Sequence, residues 1–309
     1  MSEAKRVLVT GGAGFIGSHV VDRLVADRCE VRVLDDLSTG KLENISRYVK
    51  RGRVAFVEGD IRDASVVEES VEDIDVVLHF AAVTSVPLSV ENPRFTFDVN
   101  VKGTVNLLSE CAKKKVGKFL FTSSSAVYGE PKFLPITEEH PTNPMSPYAE
   151  SKIAAETFVH GFYEKELLSS VVLRLFNVYG PRQGVNDYSG VITRFIDNCK
   201  RGAPLVIYGN GGQTRDFIHI QDAVDAILIA MDDEYAEGNV FNIGSGVATS
   251  IFDLADTVME IAGVDLQVLY EEARPGDIRH SYANISKAES LLEYRPQIPL
   301  EYGLRTLLR

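Results

Sequence analysis

A chain of 309 residues with 45% hydrophobic and 25% charged content has ample material for a large buried core and reads as globular. A formal charge of −12 and a pI near 5.1 speak against a phosphate-backbone binder, whose footprint is normally basic, so nucleic acid is not an expected partner. Cys29, Cys111 and Cys199 are odd in number, widely separated and without metal-ligand spacing, which fits reduced core thiols, a cytoplasmic setting and no metal.

The N-terminus, "MSEAKRVLVTGG", passes from a few polar residues straight into an apolar strand with no signal-peptide h-region. Apolar runs such as Val76–Val83 are too short to span a bilayer, so no membrane role is expected. The first strand, Arg6–Thr10, runs into "TGGAGFIGSH", where Gly11, Gly14 and Gly17 precede and open an apolar-periodic helix over Phe15–Ala26. Glycines at these positions permit a tight turn, close approach of backbone to a pyrophosphate and close packing of helix on strand, with the helix N-terminus turned to the anion. The next strand, Glu30–Asp35, ends in Asp35 and Asp36, where an acidic residue would bind the adenosine ribose and repel a 2′-phosphate. Together these features predict a dinucleotide site that prefers NAD to NADP.

Further strands are expected at Val54–Glu58, Val76–Phe80, Lys118–Thr122, Val171–Leu175 and Val240–Ile243, most with room for a helix between them. Runs such as "VLVT" and "VVLHF" are apolar continuously, as strands buried on both faces of a parallel sheet should be. The fold class is therefore α/β, a doubly wound parallel Rossmann sheet. After about residue 180, Gly- and Pro-punctuated segments with fewer strands ("YGPRQG", "RGAP", "YGNGGQ", "ARPGD") suggest a smaller C-terminal lobe. The expected division is residues 1–180 for the dinucleotide, with later returns near 216–245, and 181–309 mainly for substrate, with a ligand cleft between the two lobes.

Within the first part, "SPYAESK" places Tyr148 and Lys152 four apart. On a helix these two share a face, so the Lys152 ammonium is expected to favour the Tyr148 phenolate and make it a base for an alcohol proton. A second Tyr-x-x-x-Lys, Tyr128 and Lys132, is interrupted by Pro131, whereas Pro147 stands at a plausible helix start ahead of "AESKIAAETFVHGF". His19 and His79 have no ligand-spaced companions and read as packing residues.

In order and spacing, "VTGGAGFIGSH", "DDLSTG", "GDIRD", "HFAA", "VNVKGTVNLL", "FTSSSAVYG", "SPYAESK", "RLFNVYGPRQ", "TRDFIHIQD", "NIGSG" and "RPGDIRHSYA" resemble the extended short-chain dehydrogenase/reductases, specifically nucleotide-sugar 4-epimerases of the UDP-galactose 4-epimerase type. The resemblance covers nearly the whole chain. It implies tightly held, recycled NAD and a UDP-hexose substrate. Hydride leaves C4 as Tyr148 takes the 4-hydroxyl proton, the 4-keto sugar turns over, and hydride returns to the opposite face. Ser124 then corresponds to the hydroxyl that binds the C4 oxygen, Tyr148 to the base, and Lys152 also to the nicotinamide-ribose contact. Cofactor contacts fall to Gly11, Gly14, Phe15, Ile16, Gly17, Asp35, Asp36, Asp60, Ile61, Ala81, Ala82, Thr84 and Asn100. Substrate contacts fall to Asn177, Arg215, Arg274 and Asp277, with Tyr208 packing on uracil; guanidinium forks suit a diphosphate.

Family members that exclude 2-acetamido sugars carry a bulky residue four after the aspartate of the "GD" element, and here that position is Ser281. A small residue implies that UDP-GlcNAc and UDP-GalNAc are accepted with UDP-glucose and UDP-galactose, unless His280 or Tyr282 closes the space. The resemblance also implies a homodimer whose helices around Val101–Lys113 and Tyr148–Phe162 form a four-helix bundle; a monomer using those faces internally is the alternative. A related 4,6-dehydratase would need carboxylates at the strand end, where Thr122, Ser123 and Ser124 stand. UDP-uronate epimerisation or decarboxylation and a non-catalytic dinucleotide sensor are the remaining alternatives.

Overall fold

The computed structural model describes residues 4–184, 190–273 and 278–308. Arg6–Thr10 (β1), Glu30–Asp35 (β2), Val54–Glu58 (β3), Val76–His79 (β4), Lys118–Ser124 (β5) and Ser170–Leu175 (β6) join Val240–Ile243 in one seven-stranded parallel sheet. The spatial order is Val240–Ile243, β6, β5, β4, β1, β2, β3. Because β1 lies between β2 and β4, with Val9 beside both Val33 and Leu78, the winding direction reverses there. A crevice for a ligand opens outside the carboxyl ends of strands at such a reversal.

Continuous apolar strands arise because alternate residues enter different cores. Val7 and Val9 pack with Val20, Val21 and Leu24 of the Phe15–Ala26 helix and with Val224 and Ile227 of the Ile220–Asp232 helix. Leu8 joins Leu34, Val77 and Phe119 with Leu107 and Leu108 of the Thr104–Lys114 helix and Ala155 and Val159 of the Pro147–Glu164 helix. Each such side chain, fully removed from water, contributes roughly 1.5–3 kcal/mol.

The C-terminal region contains more strand than its Gly/Pro punctuation suggests. Asn177–Tyr179 pairs in parallel with Phe217–His219, Leu205–Tyr208 in parallel with Val268–Glu271, and Thr214–Arg215 antiparallel with Thr249–Ser250. Pieces of two to four residues are too short to display a period in sequence. They frame a third core built on Tyr179, Phe195, Ile207 and Leu254.

Two helix boundaries matter for the site. The helix expected from Val101 begins at Thr104, and the preceding Asp98–Gly103 is a wider π-helical turn. The helix carrying Tyr148 begins at Pro147, as its sequence suggests, and is capped by the Ser146 hydroxyl accepting from the Ala149 N–H at 3.2 Å. Cys29, Cys111 and Cys199 are all free thiols. Among the described residues no helix is long and apolar enough to cross a membrane, and no cluster of three or more His, Cys, Asp or Glu could hold a metal.

Candidate active site

At the reversal point the glycines make a cradle that larger residues would fill. A Cβ on Gly11, whose φ is +69°, would stand 2.7 Å from the Ala81 nitrogen, and one on Gly17 would stand 2.3 Å from the Gly11 carbonyl oxygen. The helix beginning with Phe15 and Ile16 has Gly14 at its N-cap and no side-chain cap, leaving its first N–H groups for an anion. This arrangement fits a dinucleotide pyrophosphate.

The acidic pair at the end of β2 divides its work. Asp35 is buried, and its carboxylate accepts from the N–H groups of Ala13 and Leu37 at 2.9 Å each, closing the glycine turn onto β2. Burial raises its pKa, opposed by those two bonds. Asp36 is exposed and accepts from the backbone and hydroxyl of Ser38 through one oxygen. Asp60 is gripped by Arg62, whose Nε lies 2.9 and 3.0 Å from its two oxygens, and that guanidinium holds its carboxyl below the usual range. The side chain of Ile61 is buried against Gly103, so a ligand contact there falls to its main chain.

Ala81, Ala82 and Thr84 follow the end of β4, and Thr84 opens onto the neighbouring cavity. Asn100 is buried with its amide fully engaged. It accepts from the Val83 N–H at 2.7 Å and donates to the Val83 carbonyl and the Ser151 hydroxyl at 2.9 Å each. The Ser151 hydroxyl in turn donates to the Tyr148 carbonyl at 2.7 Å. Asn100 therefore acts by tying the segment after β4 to the helix that carries Tyr148 and Lys152.

The structure brings the three reactive candidates together. Ser124 ends β5, Tyr148 lies in the first turn of the Pro147–Glu164 helix, and the Ser124 hydroxyl stands near enough to the phenol to favour its ionised form. Lys152, on the same helix, donates to the Thr122 carbonyl at 2.9 Å and sits 4.9 Å from the Phe121 ring centre. The expected lowering of the Tyr148 pKa by Lys152 is not found in the protein alone. Burial raises Tyr148, and the opposing influence is the nearby Ser124 hydroxyl. Lys152 itself is pushed down to about 8 by burial, against the attraction of Glu156. Both groups are desolvated, and desolvation favours the neutral form of each.

A cavity of about 430 Å³ is lined by Thr84–Pro87, Asn177, Tyr208 and Arg215, and none of Ser124, Tyr148 and Lys152 is part of its wall. Sequence reasoning did not single out Gln183, Arg194 or Gln213, which also line it. Arg194 lies on the Val191–Arg201 helix with its guanidinium 5.9 Å from the Tyr208 ring centre. An arginine on an amphipathic helix carries no local signal distinguishing a cavity wall from a solvated face. Asn177 donates to the Asp216 carbonyl at 3.1 Å, and Arg215 donates to the Thr214 carbonyl at 2.9 Å.

Ser281 is buried, with its N–H donating to the Thr214 carbonyl at 3.1 Å, next to Arg215. His280 is held 3.1 Å from the Thr214 hydroxyl, and the Tyr282 carbonyl accepts from Ile136 at 2.9 Å. Arg274 and Asp277 lie outside the described residues. No carboxylate stands between Thr122 and Tyr128.

The profile of the "NAD dependent epimerase/dehydratase family" matches residues 7–244. A putative UDP-glucose 4-epimerase of Methanocaldococcus jannaschii is 40% identical over 304 residues, covering 98% of this chain and 97% of that protein. UDP-glucuronic acid decarboxylase 1 of Xenopus tropicalis is 33% identical, over 98% of this chain and 71% of its own length. Among solved structures, a UDP-N-acetylglucosamine 4-epimerase of Methanobrevibacter ruminantium, in complex with UDP-N-acetylmuramic acid, superposes with a TM-score of 0.94 at 37% identity, covering 99% and 97% of the two chains. The NAD complex of a Thermus thermophilus UDP-glucose 4-epimerase gives 0.90 at 37% identity, covering 98% and 97%. With a glycine cradle at the sheet reversal and a Ser, Tyr and Lys set beside it, the chain belongs to the NAD dependent epimerase/dehydratase family, and NAD is its cofactor.

Proposed function

We propose that the protein interconverts the C4 epimers of UDP-hexoses, namely UDP-glucose with UDP-galactose and UDP-GlcNAc with UDP-GalNAc. The observation that carries the reading is the buried Tyr148 beside Ser124, with buried Lys152 one turn along the same helix. NAD supplies the acceptor and donor of the C4 hydride. Ser124 orients the sugar 4-hydroxyl, and Tyr148 takes its proton and later returns it, leaving a 4-keto sugar in between. Lys152 has one of its three N–H donors on Thr122 and two left for a ribose. Residues 1–180 with the return near 216–245 hold NAD, and 181–309 mainly hold the UDP-sugar. There Asn177, Arg215, Arg274 and Asp277 bind diphosphate, ribose and sugar, and Tyr208 packs on uracil.

Elimination across C5 and C6 is disfavoured because it requires an additional acid and base, and the Thr122–Tyr128 stretch carries no carboxylate. We further propose a homodimer. The Pro147–Glu164 helix presents Ala154, Phe158, Gly161 and Phe162 at helical spacing, with Phe158 44% exposed and open space around Gly161. That face would pair with the Thr104–Lys114 helix across a four-helix bundle. The cytoplasm suits its unpaired thiols.

Proton NMR of the anomeric signals tests the reaction, with UDP-glucose and UDP-GlcNAc incubated separately, without and then with added NAD. The expected result is the C4 epimer of both sugars without accumulating keto product, and a loss of about 10²-fold or more in rate for folded, NAD-loaded Tyr148→Phe. No epimer from either sugar, or near-wild-type activity in that variant, rejects the mechanism.

A further inference from the structure

Asp216 lies between Arg215 and Phe217, is fully buried, and belongs to none of the roles assigned above. One carboxylate oxygen accepts from the Ser245 N–H at 2.7 Å and the Ser245 hydroxyl at 2.6 Å. The other accepts from the N–H groups of Gly246 at 3.0 Å and Ala283 at 3.1 Å. The main-chain oxygen of Asp216 accepts from both the backbone N–H and the side-chain amide of Asn177, at 3.0 and 3.1 Å. Gly244 leaves room for this arrangement, since a Cβ there would lie 2.6 Å from an Asp216 carboxylate oxygen.

Three segments remote in sequence thus converge on one residue: Asn177 after β6, the Gly244–Gly246 turn after the last sheet strand, and the 279–283 stretch. That stretch runs beside Thr214 through bonds from Thr214 N–H to the Arg279 carbonyl at 2.9 Å and from Ser281 N–H to the Thr214 carbonyl at 3.1 Å. The Asp216 to Ala283 bond continues the same ladder. A buried carboxylate is costly unless its lone pairs are filled. Four donors fill them here, so the carboxylate has a definite geometry to impose on the segments that carry Arg215 and Ser281.

We propose that Asp216 is a positioning residue for the UDP-sugar site: its carboxylate locks the Ser245 turn and the Ala283 segment to the Arg215 strand, and its carbonyl aims Asn177, so that these side chains present one preformed surface to the nucleotide sugar. The proposal rests on the UDP-sugar reading above. Loss of the clamp loosens substrate binding and leaves the NAD cradle, at the sheet reversal, as it was. Asp222 is a matched control. It is equally buried and accepts from the N–H groups of Gln297 and Ile298, 2.9 and 3.0 Å away, in a segment that carries none of the candidate site residues.

The test compares wild type, Asp216→Asn, Ser245→Ala and Asp222→Asn, with bound NAD content, melting temperature, KM, kcat and the calorimetric Kd for UDP-glucose measured on each. Asp216→Asn should raise Kd and KM about tenfold with kcat within about threefold of wild type and NAD content unchanged, and Ser245→Ala should move the same way by about threefold. Asp222→Asn should lower the melting temperature without moving Kd. Wild-type affinity in both clamp variants, or equal weakening by Asp222→Asn, overturns the positioning role. If Asp216→Asn does not fold, Ser245→Ala alone decides. A wild type that binds no UDP-glucose overturns the UDP-sugar reading and the proposal with it, an outcome distinct from a wild type that binds beside variants that bind equally well.

Discussion

Burial acts on Tyr148 and Lys152 in the same chemical sense, since it raises the phenol, lowers the ammonium and so favours the neutral form of both. Their four-residue spacing was legible in the sequence, as was the Pro147 start that puts them on one helix face. The electrostatic outcome was not legible, because it depends on how much water reaches each group and on which acceptor Lys152 finds. Ser281 belongs to the same scale. It is small and buried beside the Arg215 strand, and a bulky replacement would fill the space proposed for an N-acetyl group. Ser281→Tyr should lower kcat/KM for UDP-GlcNAc by about tenfold or more relative to UDP-glucose, read as the ratio of the two specificity constants. An equal loss on both sugars would remove Ser281 as the gate.

At the scale of elements, a buried chain of polar groups joins β1, β4 and the Thr104–Lys114 helix. The Thr104 hydroxyl donates to the Asn100 carbonyl at 2.6 Å, so it can only accept from His79 Nε2, 2.9 Å away. His79 Nδ1 is then the acceptor for the Thr10 hydroxyl at 2.6 Å, which in turn receives the Ala81 N–H at 3.3 Å. The sequence marked His79 as a packing residue, which is correct for its burial, but its partners come from residues 25 and 69 positions away. Burial depresses its pKa to about 3, with Lys152 adding to the shift. Because the folded value lies below the unfolded 6.5, the unfolded chain binds the proton first as the pH falls. The stability held above pH 6.5 is therefore lost progressively down to about pH 3. His79→Gln keeps a donor and an acceptor and does not titrate. Between pH 7.5 and 5 its unfolding free energy should fall by about 2 kcal/mol less than that of wild type, measured in urea on cofactor-stripped protein. Parallel slopes for the two proteins would count against a neutral His79 in the fold.

For the whole molecule, the proposed bundle predicts that wild type elutes as a dimer in size exclusion with light scattering and that Phe158→Glu, which places a charge on the exposed apolar stripe, elutes as a monomer with its NAD retained. A monomeric wild type would reject the bundle. The strands of the central sheet and the glycine turn were readable from sequence because each depends on local facts: continuous apolar runs for strands covered on both faces, and residues without Cβ where backbone meets backbone. The reversal between β1 and β4, the convergence of residues 177, 244–246 and 283 on Asp216, and the use of Arg194 as a cavity wall were decided by tertiary structure. Each is a contact between segments far apart along the chain, and no propensity or spacing encodes which buried donor a carboxylate meets or which face of a helix closes over a ligand. The sequence determined the chemistry available to this protein, and the packing of remote segments determined where that chemistry is held and how it is tuned.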